Sequence, residues 1–158
     1  MTIRGVLGRA ALVLAAGATM LAVTAGTSRA APARATDAQP ALGTCTPKTG
    51  VSVHDPYGHG FSRLTTCRNG ANAPVYAATN TGFLKGHLVT TSSFFLCWRP
   101  GDLNSGGPFG DSLDWYYTQG DTHVPGASNS WGFVPGTFID TTDPAVGIPE
   151  CTYTSVPH

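Results

Sequence analysis

Residues 114–139 constrain the fold most, because two short aromatic runs flank a polar connection rich in Gly, Pro, Asn and Ser. The stretch holds two of the three tryptophans, two of the five tyrosines and two of the seven phenylalanines. Aromatic runs around such a connection are typical of a β-hairpin. The second run breaks at Pro135, which has no backbone N–H to donate, and resumes at Phe138. We therefore predict two paired strands, the second of which ends at Pro135.

The chain around this stretch also favours β-structure, because β-prone segments alternate with Gly- and Pro-rich connections. The predicted strands cover residues 51–53, 61–67, 74–77, 87–90 and 94–98. The predicted loops and turns cover residues 78–86, 99–102 and 103–112. No apolar pattern with a period of 3.6 residues continues over three turns in the chain beyond residue 30. The sequence therefore predicts an all-β barrel or sandwich without a substantial helix.

The first 30 residues have the pattern of a secretory signal peptide. Arg4 and Arg9 precede an apolar run at residues 10–25, and small residues follow it. The run is shorter than the roughly 20 residues that a membrane-spanning helix needs, so we expect no membrane insertion after cleavage. Residues 31–43 consist mostly of Ala, Pro, Thr and Gln, which predicts a disordered leader. The expected location is secreted, outside the cell.

All four cysteines, Cys45, Cys67, Cys97 and Cys151, lie beyond this leader. An even number of cysteines in a secreted chain indicates disulfides. Three pairings are possible, and we favour Cys45–Cys67 and Cys97–Cys151 because each pair brackets a coherent segment. Zinc binding is disfavoured, because no Cys-x-x-Cys spacing occurs.

The charge of the chain argues against two classes of partner. Beyond residue 30 there are six basic and nine acidic residues, and the basic ones are scattered. No basic patch is present to bind nucleic acid, and no polybasic segment is present to bind a membrane surface.

Motifs for catalysis or metal binding are weak. His54, Asp55 and His59 are close in sequence, but a metal site would need at least a third ligand and a fixed geometry, so we expect the two histidines to be plain surface residues of a loop. Paired cysteines leave no thiol nucleophile, no Gly-x-Ser-x-Gly motif occurs, and Glu150 is the single glutamate. We predict a protein that is not an enzyme and that has no cofactor or metal.

Alternation along residues 94–98 leaves an open question. If these residues form one strand, Phe95 and Cys97 share one face, and Phe94, Leu96 and Trp98 share the other. A disulfide cysteine is usually buried, so the row of Phe94, Leu96 and Trp98 should point outward. Either the segment closed by Cys45–Cys67 covers this row, or the row lines a ligand groove.

Several motifs together carry a resemblance to a known family. The run at residues 131–139 resembles the closing motif of SH3-like barrels, in which a Gly-aromatic-Val-Pro strand leads into one 3₁₀ turn. In order, the chain also resembles secreted bacterial SH3-like (SH3b) proteins of high-GC Gram-positive bacteria at Cys97-Trp98, residues 101–110, Trp115-Tyr116, residues 131–134 and Cys151. The resemblance covers residues 73–151. It implies a small SH3-like barrel at residues 73–158 with a disulfide-closed N-terminal extension at residues 44–72.

The resemblance also implies a binding surface. In SH3-like barrels, ligands lie across an aromatic shelf that faces the 3₁₀ turn. By position, the candidate shelf residues here are Trp115, Pro135, Phe138 and Tyr76. Three aspartates at the rim would add contacts to a cationic group, namely Asp102, Asp111 and Asp114. The alternative is that the aromatic residues simply pack the core.

The function implied by the resemblance is a secreted, non-enzymatic SH3b-like binding module for cell-wall peptidoglycan or its peptides. The alternative is an extracellular protein-interaction or inhibitor domain that uses the same surface.

Overall fold

A computed structural model describes residues 43, 45–142, 144–145 and 147–158. These residues belong to one compact unit, Gln39–His158. The predicted signal peptide at residues 1–30 lies outside the described residues, as does the predicted leader at 31–43 except for Gly43. A search of the described residues finds no helix that is long and apolar enough to cross a membrane.

The described chain is all-β, as predicted, and its strands form two antiparallel sheets. The strands are β1 (Thr46–His54), β2 (Gly60–Arg68), β3 (Ala73–Ala78), β4 (Asn80–Leu88), β5 (Ser92–Phe95), β6 (Cys97–Asn104), β7 (Ser112–Gln119), β8 (Thr122–His123) and β9 (Trp131–Pro135). One sheet has the order β1-β2-β5 and the other has the order β6-β7-β9-β3-β4-β8. Among the described strands, no pairing joins β6 to β8, so hydrogen bonding does not close the six-stranded sheet into a barrel.

The predicted aromatic hairpin is confirmed. Strands β7 and β9 pair antiparallel from Trp115 opposite Pro135 to Gln119 opposite Trp131. Strand β9 ends at Pro135 and runs into one 3₁₀ turn, Gly136–Phe138. This strand, followed by a single turn, is the local structure that the closing motif implied.

Two glycine-rich stretches are strands where we predicted connections. Residues 78–86 were expected to form a loop, but β4 pairs with β3 and only Thr79 separates them. Gly86 is needed in the strand because β4 and β8 approach each other closely there. A Cβ on Gly86 would lie 1.9 Å from the carbonyl oxygen of Thr122 in β8. The turn predicted at residues 99–102 is also wrong, since these residues continue β6. A Cβ on Gly101 would lie 2.2 Å from the Thr79 carbonyl oxygen, so this glycine also permits a close approach.

Residues 94–98 do not form one strand, and the predicted sharing of faces is wrong. Strand β5 ends at Phe95 and β6 begins at Cys97, so the chain passes from one sheet to the other at Leu96. The alternation is interrupted there. Phe95 consequently packs in one hydrophobic core and Cys97 in another.

Strand β7 separates these two cores. Core A contains Cys67, Ala73, Val75, Leu88, Phe95, Tyr116, Val134, Ile139, Ala145 and Ile148. Core B contains Leu96, Cys97, Trp115, Tyr117, Trp131, Phe133, Cys151 and Val156. Trp115 and Tyr117 therefore face core B and Tyr116 faces core A, as the period of two in a strand requires.

Both predicted disulfides are present, Cys45–Cys67 and Cys97–Cys151. The first joins the chain before β1 to β2, and the second joins β6 to the C-terminal segment. Their sequence separations are 22 and 54 residues. In the chain-entropy description each contributes about 3–4 kcal/mol by restricting the unfolded chain.

Candidate functional site

The four predicted shelf residues do not form one exposed surface. Trp115 has no exposed side-chain surface and packs in core B, and Pro135 is also buried. Phe138 is half-buried and packs against core A instead. Tyr76 is half-buried and meets the Trp115 ring edge-on, with ring centroids 5.9 Å apart. The side chains of these four residues are largely used in packing. Their role in ligand binding stays a prediction.

The row of Phe94, Leu96 and Trp98 is divided between the two cores. Phe94 and Leu96 pack in core B beside side chains of the N-terminal extension, among them Phe61 and Leu64 of β2. Trp98 packs against core A. The arrangement favours the alternative in which the extension covers the row, because β2 also pairs with β5.

The most exposed large apolar side chains lie on the β6–β7 hairpin. Leu103 is 64% exposed and Leu113 is 55% exposed. Together they border an open groove of about 460 Å³, which we call the hairpin groove. The described residues that line it are Leu103, Asp111, Ser112, Leu113, Asp114 and Pro144.

A bulge in β6 builds one wall of the hairpin groove. Pro100 pairs with Asp114 and Asn104 pairs with Ser112, so residues 101–103 face residue 113 alone. Extra residues on one strand bend it and re-aim its side chains. Both leucines are exposed and line this groove.

Hydrogen bonds hold this bulge in place. The Trp115 indole Nε1 donates to the Asp102 carbonyl oxygen at 2.9 Å. The Asp102 backbone N–H donates to the Thr79 carbonyl oxygen at 3.0 Å. Trp115 therefore supports the groove from inside the protein.

The 3₁₀ turn supports the other wall. A Cβ on Gly136 would lie 2.3 Å from the Ser112 hydroxyl oxygen, so the turn packs directly against the start of β7. The same hydroxyl accepts the Asp114 backbone N–H at 3.0 Å. Both walls are thus fixed before any ligand arrives, which reduces the entropy cost of binding.

The hairpin groove is acidic. Asp111 is exposed, Asp114 is buried at the groove wall, and exposed Asp102 precedes Leu103. No lysine or arginine is among the described residues that line it. A groove with apolar walls and carboxylates suits a ligand that combines apolar groups with a cation. Of the three aspartates predicted for the rim of a site, Asp111 and Asp114 line this groove, and Asp102 precedes Leu103 in the bulge. Their role in binding stays a prediction.

Two other clefts flank the N-terminal extension. One, of about 390 Å³, has Phe94 in its wall and carries both Lys48 and Asp121. The Asp121 carboxylate already accepts the backbone N–H groups of Val89 and Thr90. Burial raises the pKa of Asp121, but these bonds and the Thr90 hydroxyl outweigh burial and lower it overall. A second cleft, of about 350 Å³, is bordered by residues of β2 together with Leu96 and Pro149.

The loop at residues 54–59 is anchored in the protein, and the expectation of a plain surface residue is wrong for His59. The Asp55 side chain is fully buried and accepts four hydrogen bonds. Its donors are the Tyr117 hydroxyl (2.6 Å), His59 Nδ1 (2.6 Å) and the backbone N–H groups of Tyr57 and His59 (2.9 Å each). The His59 ring stacks on Tyr153 with centroids 4.0 Å apart.

These contacts shift the pKa values of the cluster. Burial raises the pKa of the Asp55 carboxyl, but the hydrogen bonds from Tyr117, His59 and the backbone outweigh burial and lower it overall. Burial and donation to Asp55 raise the pKa of Tyr117 far above its usual range. Within the described residues, no group of three or more His, Cys, Asp or Glu side chains is placed to hold a metal. The cluster therefore fixes the β1–β2 turn.

Leu103 and Leu113 were not among the predicted site residues, because Leu103 begins the predicted glycine-rich loop at residues 103–112 and Leu113 directly follows it. The available signal was the presence of two large apolar residues among three aspartates, where no core requires them. Comparison with known proteins finds no matching family model, no similar curated protein and no similar solved structure.

Proposed function

We propose that this protein is a secreted, non-enzymatic binding module whose ligand surface is the hairpin groove. The observation that carries the proposal is the pair of strongly exposed leucines held between carboxylates on a bulged hairpin. Adjacent large apolar side chains at a surface are typical of binding sites. The two disulfides support an extracellular location, where such bonds persist.

We further propose an SH3b-like architecture for residues 73–158. Support comes from the closing motif, in which β9 ends at Pro135 and leads directly into the 3₁₀ turn Gly136–Phe138. The central position of β7, between β6 and β9, also fits the resemblance.

The proposed ligand is cell-wall peptidoglycan, through its stem peptides. Stem peptides combine small apolar residues with amino groups, and the groove offers leucine side chains for the first and carboxylates for the second. All four cysteines are in disulfides, so the proposal invokes recognition without covalent chemistry. One copy of such a domain gains no avidity by itself, so binding by this copy should be weak.

The test is retention on purified peptidoglycan. A Leu103→Ser, Leu113→Ser double variant should lose at least about tenfold in retention, because removal of two buried contacts costs more than 1.4 kcal/mol. Val89→Ser is the matched control, since Val89 is 49% exposed and does not line the groove. Equal retention of wild type and the double variant would rule out this surface.

Charge gives a second measurement on the same surface. Asp111→Asn should weaken retention several-fold at low salt and make it less dependent on salt, because screening then has less attraction to remove. If the salt dependence of retention were unchanged in Asp111→Asn, the proposed contact between Asp111 and a cationic group of the ligand would be wrong.

The alternative, an extracellular protein-interaction or inhibitor domain, is favoured by the exposure of the leucines alone. A cross-linked protein partner that is lost in the Leu103→Ser, Leu113→Ser variant, together with no retention on peptidoglycan, would support it.

A further inference from the structure

Residues 154–156 lie along the end of strand β3. The Thr79 backbone N–H donates to the Thr154 carbonyl oxygen at 3.0 Å, and the Val156 N–H donates to the Ala77 carbonyl oxygen at 2.7 Å. Ala78 and Ser155 form an isolated antiparallel bridge. The segment thus adds to the sheet as an extended strand, which is a common mode of peptide recognition.

Two side chains of this segment contact different parts of the protein. Val156 is 5% exposed and packs in core B. The His158 ring lies beside Phe83 of β4, with centroids 4.3 Å apart. The Ser128 hydroxyl donates to the His158 carbonyl oxygen at 3.0 Å.

The carbonyl of Pro157 is held by an unusual donor, the fully buried Lys85. Lys85 Nζ donates to the Pro157 carbonyl oxygen and to the Tyr57 hydroxyl. The Tyr57 hydroxyl lies 2.9 Å from Asn129 Oδ1 and 3.0 Å from the same Pro157 oxygen. Among the described residues, no ion pair links Lys85 to a carboxylate.

A buried ammonium without an anionic partner is costly, because burial removes its hydration. Here the cost is offset by neutral oxygens, one of which belongs to a peptide carbonyl of the bound segment. Lys85 thus binds a backbone carbonyl oxygen of the extended segment, that of Pro157, which follows Val156. We call the edge at residues 77–79, together with Tyr57, Phe83 and Lys85, the strand seat.

We propose that the strand seat is a recognition site for extended peptide segments that contain a Val-Pro pair, and that residues 154–158 are its tethered occupant. An extracellular protein with such a segment displaces the tether and binds by strand addition. The tether lies beyond Cys151, so no covalent cross-link retains it in the seat. No residue of the strand seat is among the described residues that line the hairpin groove, although the Thr79 carbonyl oxygen accepts the Asp102 N–H that holds the bulge. The proposal for the strand seat does not require the function proposed for the groove.

The tether competes with any partner. A short flexible link gives an effective concentration on the order of millimolar, so a partner must exceed that to bind the wild-type protein. A variant whose tether no longer fits should therefore reveal the site.

The experiment uses the full chain with Val156→Asp, which places a carboxylate where the buried side chain would enter core B. A fluorescein-labelled synthetic peptide with the sequence of residues 153–158 is titrated, and its anisotropy is measured. Saturable binding is expected, with an apparent affinity at least tenfold higher than for the wild-type chain. The same peptide with its valine changed to aspartate is the matched control and should not bind.

The contribution of Lys85 is tested by adding Lys85→Met to the Val156→Asp chain, which should abolish peptide binding. The Leu103→Ser, Leu113→Ser variant of the Val156→Asp chain should bind the peptide unchanged, which separates this site from the hairpin groove. Folded Val156→Asp protein without saturable binding would overturn the proposal. Equal binding of both peptides, or a dimer formed by exchange of the tether between two copies, would overturn it as well.

Amide hydrogen exchange in the wild-type chain gives a measurement that does not depend on a variant folding. The N–H groups of Thr79 and Val156 should exchange faster than those of β7, because release of the tether does not require global unfolding. Exchange of these two groups only through global unfolding would overturn the proposal.

Discussion

Trp115 and Leu113 lie two residues apart in β7 and have opposite environments. Trp115 has no exposed side-chain surface, whereas Leu113 is 55% exposed. Residues two apart in a strand point the same way, so the difference comes from what lies opposite each one. Arg99 pairs with Trp115 in regular register, while the bulge at residues 101–103 lies opposite Leu113. Aromatic identity thus identifies the core of this protein, and strand irregularity identifies its open surface.

The largest expected effect on the free energy of unfolding comes from replacing Trp115, the buried residue of the pair. Trp115→Ala should lower the free energy of unfolding by about 3–5 kcal/mol, because it leaves a cavity in core B and removes the hydrogen bond to Asp102. Leu113→Ala should stay within about 0.5 kcal/mol of wild type, since that side chain is exposed. Denaturant unfolding monitored by tryptophan fluorescence and circular dichroism measures both.

The contrary result is also informative. If Trp115→Ala kept wild-type stability and lost ligand retention, Trp115 would be a ligand-contacting residue, as the resemblance implied, and the hairpin groove would not be the site.

Two aspartates give a second comparison between a buried and an exposed side chain, because Asp55 is buried and Asp111 is exposed. Asp55→Asn should cost about 1–3 kcal/mol at neutral pH, because the donors of Tyr117 and His59 lose a charged acceptor. Asp111→Asn should leave the free energy of unfolding almost unchanged. Urea unfolding of the two variants measures the difference.

The pH dependence of the wild type follows from the lowered pKa of Asp55. A carboxyl whose pKa is lower in the folded state contributes stability that is fully present above its unfolded pKa of about 3.9. That contribution is lost as the pH falls through the folded pKa. Wild-type stability should therefore drop more steeply below about pH 4 than that of Asp55→Asn. Parallel curves for the two proteins would show that Asp55 does not titrate as its hydrogen bonds imply.

The sequence predicted those features that depend on local pattern. The pairing of β7 with β9 and the end of β9 at Pro135 follow from aromatic runs, turn formers and a missing N–H. The disulfide pairing followed from the segments that the cysteines bracket. The hairpin and the end of β9 depend on residues with their own conformational preference, whereas the pairing depends on the order of the cysteines along the chain.

Features that depend on distant strands were not predictable. Gly86 and Gly101 are residues of a type that is common in loops. Both lie in strands, where a side chain is excluded because a backbone oxygen from another part of the chain approaches closely. The passage between sheets at Leu96 depends on β2 competing for β5. Asp55 lies in a turn-forming stretch, and its burial depends on Tyr117, which is 62 residues away.

An effect similar in size to that of Asp55→Asn tests whether the bulge creates the exposed surface at Leu113. Gly101→Ala places a Cβ 2.2 Å from the Thr79 carbonyl oxygen, which must shift β6 or β3 at a cost of about 1–3 kcal/mol. Gly106→Ala is the matched control, since its Cβ would lie 3.7 Å from the nearest side-chain oxygen, that of Asn104. Because Asp102 and Leu103 follow Gly101 in the bulge, the shift should also reduce retention on peptidoglycan, whereas Gly106→Ala should retain both stability and binding. A Gly101→Ala protein that is destabilised but binds as wild type would show that the position of Leu103 does not depend on the bulge, and the link between strand irregularity and the open surface would then be lost.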